Sequence, residues 1–282
     1  MGTNRTESLL LKISALDVDV ATQALQYVSQ YDAMRLETYR RKENLADRIT
    51  VAPIASATAL RFDDVGYFNR VYCTDSSTFD ALEEIEEFYR EEPFGCELVA
   101  PPVDSSVEER TISRSGWAQS GNFAWLHMPD CGSFKPIQTS QLEIRPPAPS
   151  QREEFLTAYL TAFGAEQDRF PAAIRNMRHL FDQPELDFLM ARHGNRLAGV
   201  AMMMRCGDKA LLCAGAALPE FREMGCHAAL LDARIRLAAE SGCREVYSWA
   251  FLGGQSHSNL EKAGLSMVGT SNTWRFSPES QT

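Results

Sequence analysis

The stretch LDFLMARHGNRLAGVAMMMRCGDKALLCAGAALPE, residues 186–220, constrains this chain more than any other. Three apolar runs follow one another with only HGN and GD between them, connections so short that the runs must be antiparallel neighbours. Pro219 then ends the third run, since it lacks a backbone donor and holds Leu218 extended. A helix is predicted to open near Gly225, with Leu230, Leu231, Ile235, Leu237 and Ala238 as its buried stripe. SGC stops it, and REVYSWAF reads as the next strand. Strand, helix and strand in succession make a right-handed parallel unit, so the sheet is mixed, with a central parallel pair in a mainly antiparallel setting. A last helix near 256–263 ends at Gly264, and two short strands are expected to finish the chain. The fold class is α/β, or α+β in some schemes.

The first half is read as another alternating α/β unit. Residues 1–46 look helical, with Val20, Leu25, Val28, Leu36 and Tyr39 near helical spacing. ITVAPI and GYFNRVYC read as strands, followed by the acidic helix STFDALEEIEEFYREE, the strand GCELVAPP, a short helix over 107–114 and the strand NFAWLHM. The densest proline cluster, PPAPSQ at 146–151, starts a new run of elements. Two domains are therefore expected, 1–139 and 140–282, and 282 residues suffice for two cores.

Charge and cysteine usage remove several function classes. The net charge of -10 excludes a general nucleic-acid binder. The one concentration of Lys and Arg, residues 35–48, reads as the solvated face of a helix. Seven cysteines form no CxxC pair and leave one over, so neither a metal site nor a disulfide framework is expected, and reduced thiols in a cytoplasmic protein fit. The N-terminal apolar run, 9–11, has no cationic lead-in, and no segment is long enough to span a bilayer, so no membrane partner is expected. MGTNRT matches the loose myristoylation pattern at Gly2, one short enough to arise by chance.

The helix opening near Gly225 lies at the carboxyl end of the third strand of the meander. Helix N-termini carry unpaired N–H groups and partial positive charge, so this end can bind a diphosphate with few cations. Gly225 permits close approach; Met224, Gly225, Cys226, His227 and Ala228 can aim successive N–H groups at the anion, and Arg222 adds a permanent charge. The spacing fits neither the GK[ST] phosphate loop nor the GxGxxG dinucleotide turn. An ordinary glycine in a helix-opening loop is the alternative reading.

The run AGAALPEFREMGCHAALLDARIRLAAESGC resembles the acyl-CoA-binding motif of the GNAT superfamily of N-acetyltransferases, Arg/Gln-x-x-Gly-x-Gly/Ala. Arg222 and Gly225 match it, and His227 stands where the family has Gly or Ala. SHSNLEKAGL resembles the second signature, with Asn259, Lys262 and Gly264 matching and Leu265 in place of Phe. The resemblance runs from Thr139 to the end. The first half is similar to a degenerate copy, in which VYC is followed by TDSSTFDAL without Arg-x-x-Gly. The resemblance thus implies a tandem chain of two GNAT-like domains, the C-terminal one competent for CoA and the N-terminal one shaping the substrate cleft.

The resemblance implies an N-acetyltransferase in which an amine attacks acetyl-CoA directly, with no metal. The pantetheine would lie where LLCAGAAL and EVYSWAF splay apart, and backbone N–H groups near Gly215, Ala216 and Ala217 would polarise the thioester carbonyl. The cofactor-binding set is then Gly215, Ala216, Ala217, Leu218, Arg222, Met224, Gly225, Cys226, His227, Ala228 and Asn259. Asn259 either bonds the pantetheine or caps its helix. His227 is either a phosphate partner or a neutral surface residue, its protonated form disfavoured by the helix dipole. Cys213 and Cys226 are small buried hydrophobes by default.

Many family members use a tyrosine of the second signature as general acid, and here that position is Leu260. Tyr247, Ser256, Ser258 and His257 are the candidate stand-ins; Tyr247 reads equally as a packed strand aromatic and His257 as a solvated helix start. The acceptor is a small-molecule or peptide amine, and the protein a monomer or homodimer. A non-catalytic acyl-CoA sensor is the alternative function.

Overall fold

The computed structural model describes residues 17–63, 65–102, 109–113, 117–136 and 142–278. Both Gly2 and the expected domain boundary at 139/140 lie outside the described residues. The elements are α1 (Val18–Lys42), β1 (Ile49–Ile54), β2 (Ala57–Phe62), β3 (Arg70–Cys73), α2 (Leu82–Phe88), β4 (Cys96–Val99) and β5 (Ala118–Met128). They continue with β6 (Glu143–Arg145), α3 (Arg152–Ala162), α4 (Phe170–Met177), β7 (Leu186–His193), β8 (Arg196–Cys206), β9 (Lys209–Ala217), α5 (Cys226–Glu240), β10 (Glu245–Phe251), α6 (Gln255–Lys262) and β11 (Ser266–Phe276). Residues 109–113 form a helical turn.

Among the described residues, the strands join one eleven-stranded sheet in the order β1-β2-β3-β4-β11-β5-β10-β9-β8-β7-β6. Two pairs are parallel, β3 with β4 and β9 with β10. The predicted meander is β7, β8 and β9, with turns at Gly194 and Gly207, both at positive φ, a conformation that suits glycine. The chain ends differently from the expectation: residues 266–276 form one strand, β11, kept continuous by register shifts at Met267/Gly269 and Thr273/Trp274 instead of breaking into two.

The two halves of the sequence are not adjacent blocks in the sheet. β11, the last strand of the second half, pairs with β4 of the first, while β5, the last strand of the first half, pairs with β10 of the second. β5 and β11 also pair with each other, antiparallel, at the centre. Each half-sheet is completed by a strand from the other half. The two parallel pairs correspond in detail: Arg70 is 3.1 Å from Glu97 across β3 and β4, and Lys209 is 3.1 Å from Glu245 across β9 and β10, each in the first register of its pair.

Helix α1 crosses one face of this sheet, touching β1 and β2 at one end, β5 and β11 in the middle, and β9 at the other. Asp17 caps it by accepting from Val20 N–H at 3.3 Å, and Arg40, Arg41 and Lys42 in its last turn complement the helix dipole. Ala21, Leu25, Val28, Leu36 and Tyr39 are buried there. A Cβ on Gly269 of β11 would come within 2.6 Å of the Ala21 Cβ, so the helix rests against bare backbone. The basic run at 35–48 is not wholly a solvated face. Arg40, Arg41 and Lys42 are exposed, but Arg35 is only 3% exposed, bonded to Asp32 at 3.1 Å with its guanidinium 4.6 Å from the centre of the Phe68 ring. The Tyr72 hydroxyl donates to the same carboxylate at 2.6 Å, so a charge that the pattern placed in water is paired in the interior. Helices α5 and α6 cover the opposite face of the second half, over Leu212, Val246 and Ala250.

Candidate functional site

The parallel pairing of β9 with β10 covers three registers, Lys209 with Glu245, Ala210 with Val246 and Leu211 with Tyr247, and then stops. Its cause lies on the other edge of β9: opposite Met203 of β8 the ladder skips from Ala214 to Leu211, so Leu212 and Cys213 share one partner. Such a bulge bends and twists the strand. One side-chain bond spans the first step of the gap, Ser248 Oγ donating to the Leu212 carbonyl at 3.3 Å. From Cys213 to Ala217 the β10-side edge of β9 has no strand against it among the described residues.

Beyond the gap, Leu218 N–H donates to the Ala198 carbonyl at 2.9 Å and a short helical turn runs over Pro219–Phe221. Arg222, Glu223 and Met224 follow, all exposed, with Glu223 at φ 67° and Gly225 at φ 73°. The left-handed Gly225 is the N-cap of α5 and supplies no side-chain acceptor, leaving the amides of Cys226, His227 and Ala228 without a helix partner. Gly199 of β8 lies beneath; a Cβ there would come within 2.7 Å of Cys226 Sγ. The thiols of Cys226, pushed up to about 11 by burial, and Cys213, pushed well up by burial, are packing groups.

Across the slot from β9, His227 Nδ1 accepts from the Asn259 side-chain amide at 3.2 Å, and the ring also hydrogen-bonds the Gly215 backbone. Burial first, and then the Arg234 charge, bring its pKa down to about 4, against the effect of the Gly215 bond, so the ring is neutral near pH 7. Asn259 sits inside α6, whose N-cap is Gly254, and its own carbonyl takes a bond from Gln255 Nε2 at 2.9 Å. His227, Asn259 and Gly215 thus tie α5, α6 and β9 together. Arg234, a residue that the motif did not mark, fills the floor: a Cβ on Gly215 would lie 2.5 Å from its Nη2. A charge at the i, i+4, i+8 positions 230, 234 and 238 of an apolar stripe was the available signal.

The candidate acids lie elsewhere. Tyr247 faces α1, its hydroxyl 2.8 Å from Glu245 Oε2 and 2.9 Å from Gln23 Oε1, with burial first and the Glu245 carboxylate second raising its pKa far above the phenol range. His127 Nε2 and Lys209 Nζ complete that group on Glu245 at 2.9 and 3.1 Å. His257 is buried, with Nδ1 accepting from Gly253 N–H at 3.1 Å, so it braces the turn before α6 instead of standing in solvent. Ser256 is exposed and Ser258 half-buried. Leu260 is 2% exposed and packs with Val246 and Leu265.

The corresponding turn of the first half is built for the opposite purpose. After β3, Asp75 caps the helical turn Ser76–Ala81, its Oδ1 accepting from Ser77 N–H at 2.8 Å, Ser77 Oγ at 2.5 Å and Ser56 Oγ at 2.9 Å. Those bonds, from Ser77 first, hold its carboxyl below the usual range. An internal anion occupies that helix start.

The slot in the second half suits acetyl-CoA. An uncapped helix start with a left-handed glycine accepts a diphosphate, a strand edge without a neighbour accepts the amides of an extended arm, and Gly215 presents no side chain to obstruct it. An open groove of about 500 Å³ lies at the same carboxyl end of β10, lined by Gln119, Ser120, Gly121, Asn122, Phe251 and Leu252. No group of three or more potential ligands for a metal ion occurs among the described residues, and no helix among them is long and apolar enough to cross a membrane.

Comparison with known proteins agrees with this geometry. Residues 142–257 match the acetyltransferase (GNAT) domain family. No curated protein matches the chain. A GCN5-related N-acetyltransferase from Kribbella flavida superimposes with a TM-score of 0.57 at 15% identity, over 86% of this chain and 94% of that one. One from Sphaerobacter thermophilus does so at 0.60 and 15%, over 82% and 76%. A tandem GNAT protein from the clavulanic acid biosynthesis pathway does so at 0.55 and 11%, over 79% and 78%. At these identities the solved structures establish a shared fold.

Proposed function

We propose that this chain moves an acetyl group from acetyl-CoA to a primary amine of a small molecule or peptide, since residues 142–257 match the acetyltransferase (GNAT) domain family. The observation that carries the reading is the break in parallel pairing after Leu211 and Tyr247, placed beside the uncapped start of α5. The diphosphate would rest on the amides of Cys226, His227 and Ala228, with Arg222 alongside. The arm would lie along the unpaired edge of β9, where backbone N–H groups near Gly215 to Ala217 polarise the thioester carbonyl. The amine lone pair attacks that carbon, the carbon–sulfur bond breaks with its electron pair leaving on sulfur, and the amine proton is lost to solvent. Holding the two reactants together supplies much of the acceleration. The acceptor would approach over the groove at Gln119–Asn122, whose amides and hydroxyl lie beside Phe251, 60% exposed.

The test is calorimetric titration with acetyl-CoA and with CoA, followed by thiol release against a panel of amines. One site per chain with release for some amine is the expected result. Gly225→Asp places a carboxylate against the diphosphate and should abolish binding; unchanged affinity in that variant would overturn the placement of the cofactor. The burial of Leu260 at the family's tyrosine position favours a second reading, an acyl-CoA sensor, and binding without release for every amine would support it.

A further inference from the structure

Arg234 is 2% exposed, yet it makes no ion pair among the described residues. Its Nε donates to the Leu230 carbonyl at 3.2 Å, and Nη1 to the carbonyls of Ala214 at 2.7 Å and Met202 at 3.3 Å. Those two strand carbonyls flank the β9 bulge and need donors, a task a neutral amide could perform. The charge itself has no counter-ion among the described residues. Asp232, on the same helix, lies about 200° round the axis from Arg234 and has an interaction of its own. The titratable groups that feel the guanidinium are the Cys213 thiol on β9 and the His227 imidazole in the first turn of α5, both neutral near pH 7. Burial brings the Arg234 pKa down to about 10, which still leaves it cationic at neutral pH.

An uncompensated buried charge is costly unless an anion meets it. The nitrogen left to meet one is Nη2, which makes no hydrogen bond among the described residues and abuts Gly215 at the splay of β9 and β10. We propose that Arg234 holds the departing sulfur of coenzyme A as a thiolate, in place of the tyrosine acid for which Leu260 leaves no hydroxyl. The inference rests on the transferase reading above. When the carbon–sulfur bond breaks, its electron pair stays on sulfur beside the guanidinium, so no proton need be delivered to it; a neighbouring arginine favours the charged form of a thiol.

The test compares the pH dependence of CoA and acetyl-CoA affinity, by calorimetry, across the range in which free CoA titrates in the same buffer. Acetyl-CoA has no titrating thiol and supplies the baseline. In the wild type the thiolate should bind about tenfold more tightly than the thiol, a one-unit lowering of the bound thiol's pKa that thiolate absorbance reads independently. Arg234→Gln should abolish the preference while acetyl-CoA still binds, and Arg234→Lys should retain part of it. Should Arg234→Gln fail to fold, the wild-type comparison and Arg234→Lys decide the matter. Parallel pH profiles for the two ligands in the wild type would overturn the role of Arg234 and leave the transferase reading standing. Failure of either ligand to bind would overturn both.

Discussion

His227 shows how one side chain can be legible in type and illegible in role. Its position in the motif identified it as a departure from Gly or Ala, but only the folded chain brings Asn259 and Gly215 to its ring. A pKa of about 4 against an ordinary 6.5 has a definite consequence. Between those values the unfolded chain binds the proton and the folded one does not, so this group's stabilising contribution is complete above about pH 6.5 and is lost as pH falls towards 4. Chemical denaturation at stepped pH should show that slope in the wild type and a shallower one in His227→Gln. An equal slope in the variant would mean that the ring is not held neutral. Arg234 is the reverse case: a plain arginine in an apolar stripe, whose burial follows from packing against the β9 bulge and not from any local pattern.

At the scale of elements, the order from β7 to α6 could be read because turn glycines, a helix-stopping SGC and a strand-ending proline are local devices, whereas β6 and the continuity of β11 could not. Nor could the position of α1. Its apolar spacing predicts a buried face, but not that the face spans both halves of the sheet or that Arg35 joins it. The close fit of α1 on β11 is testable. Gly269→Val would place a side chain where a Cβ already meets Ala21 at 2.6 Å and Pro102 at 3.3 Å. Overpacking of this kind costs about 1–3 kcal/mol, and thermal melting should report it as a lower midpoint. An unchanged midpoint would mean that α1 sits further from the sheet.

For the whole molecule, the exchange of β5 and β11 is the organising feature. The sequence suggests two successive domains, and the sheet does divide into two half-sheets, but each takes its inner strand from the other. Fragments 1–139 and 140–282, made separately, would each carry a strand whose partners are mostly on the other piece. We therefore expect neither fragment to melt cooperatively alone, and mixing or co-expression to restore a single transition. Independent cooperative folding of either fragment would show that the exchange is dispensable. The first half lacks the phosphate loop; its sheet supports β11, and Asp75 fills the helix start with an internal carboxylate.

The amino-acid sequence alone was enough for the strand and helix order from β7 to α6, the Gly225 helix start and the lack of a glycine start after β3, because each is written in residues a few positions apart. Only the folded chain shows that β5 and β11 change places, that Tyr247 is sealed against α1, and that Arg234 lies beneath Gly215 with no ion pair among the described residues. The reason is physical: a strand edge presents the same N–H and C=O groups whichever segment bonds to it, so partner choice depends on how the whole sheet packs. The environment of a buried charge is likewise set by residues far apart in the chain.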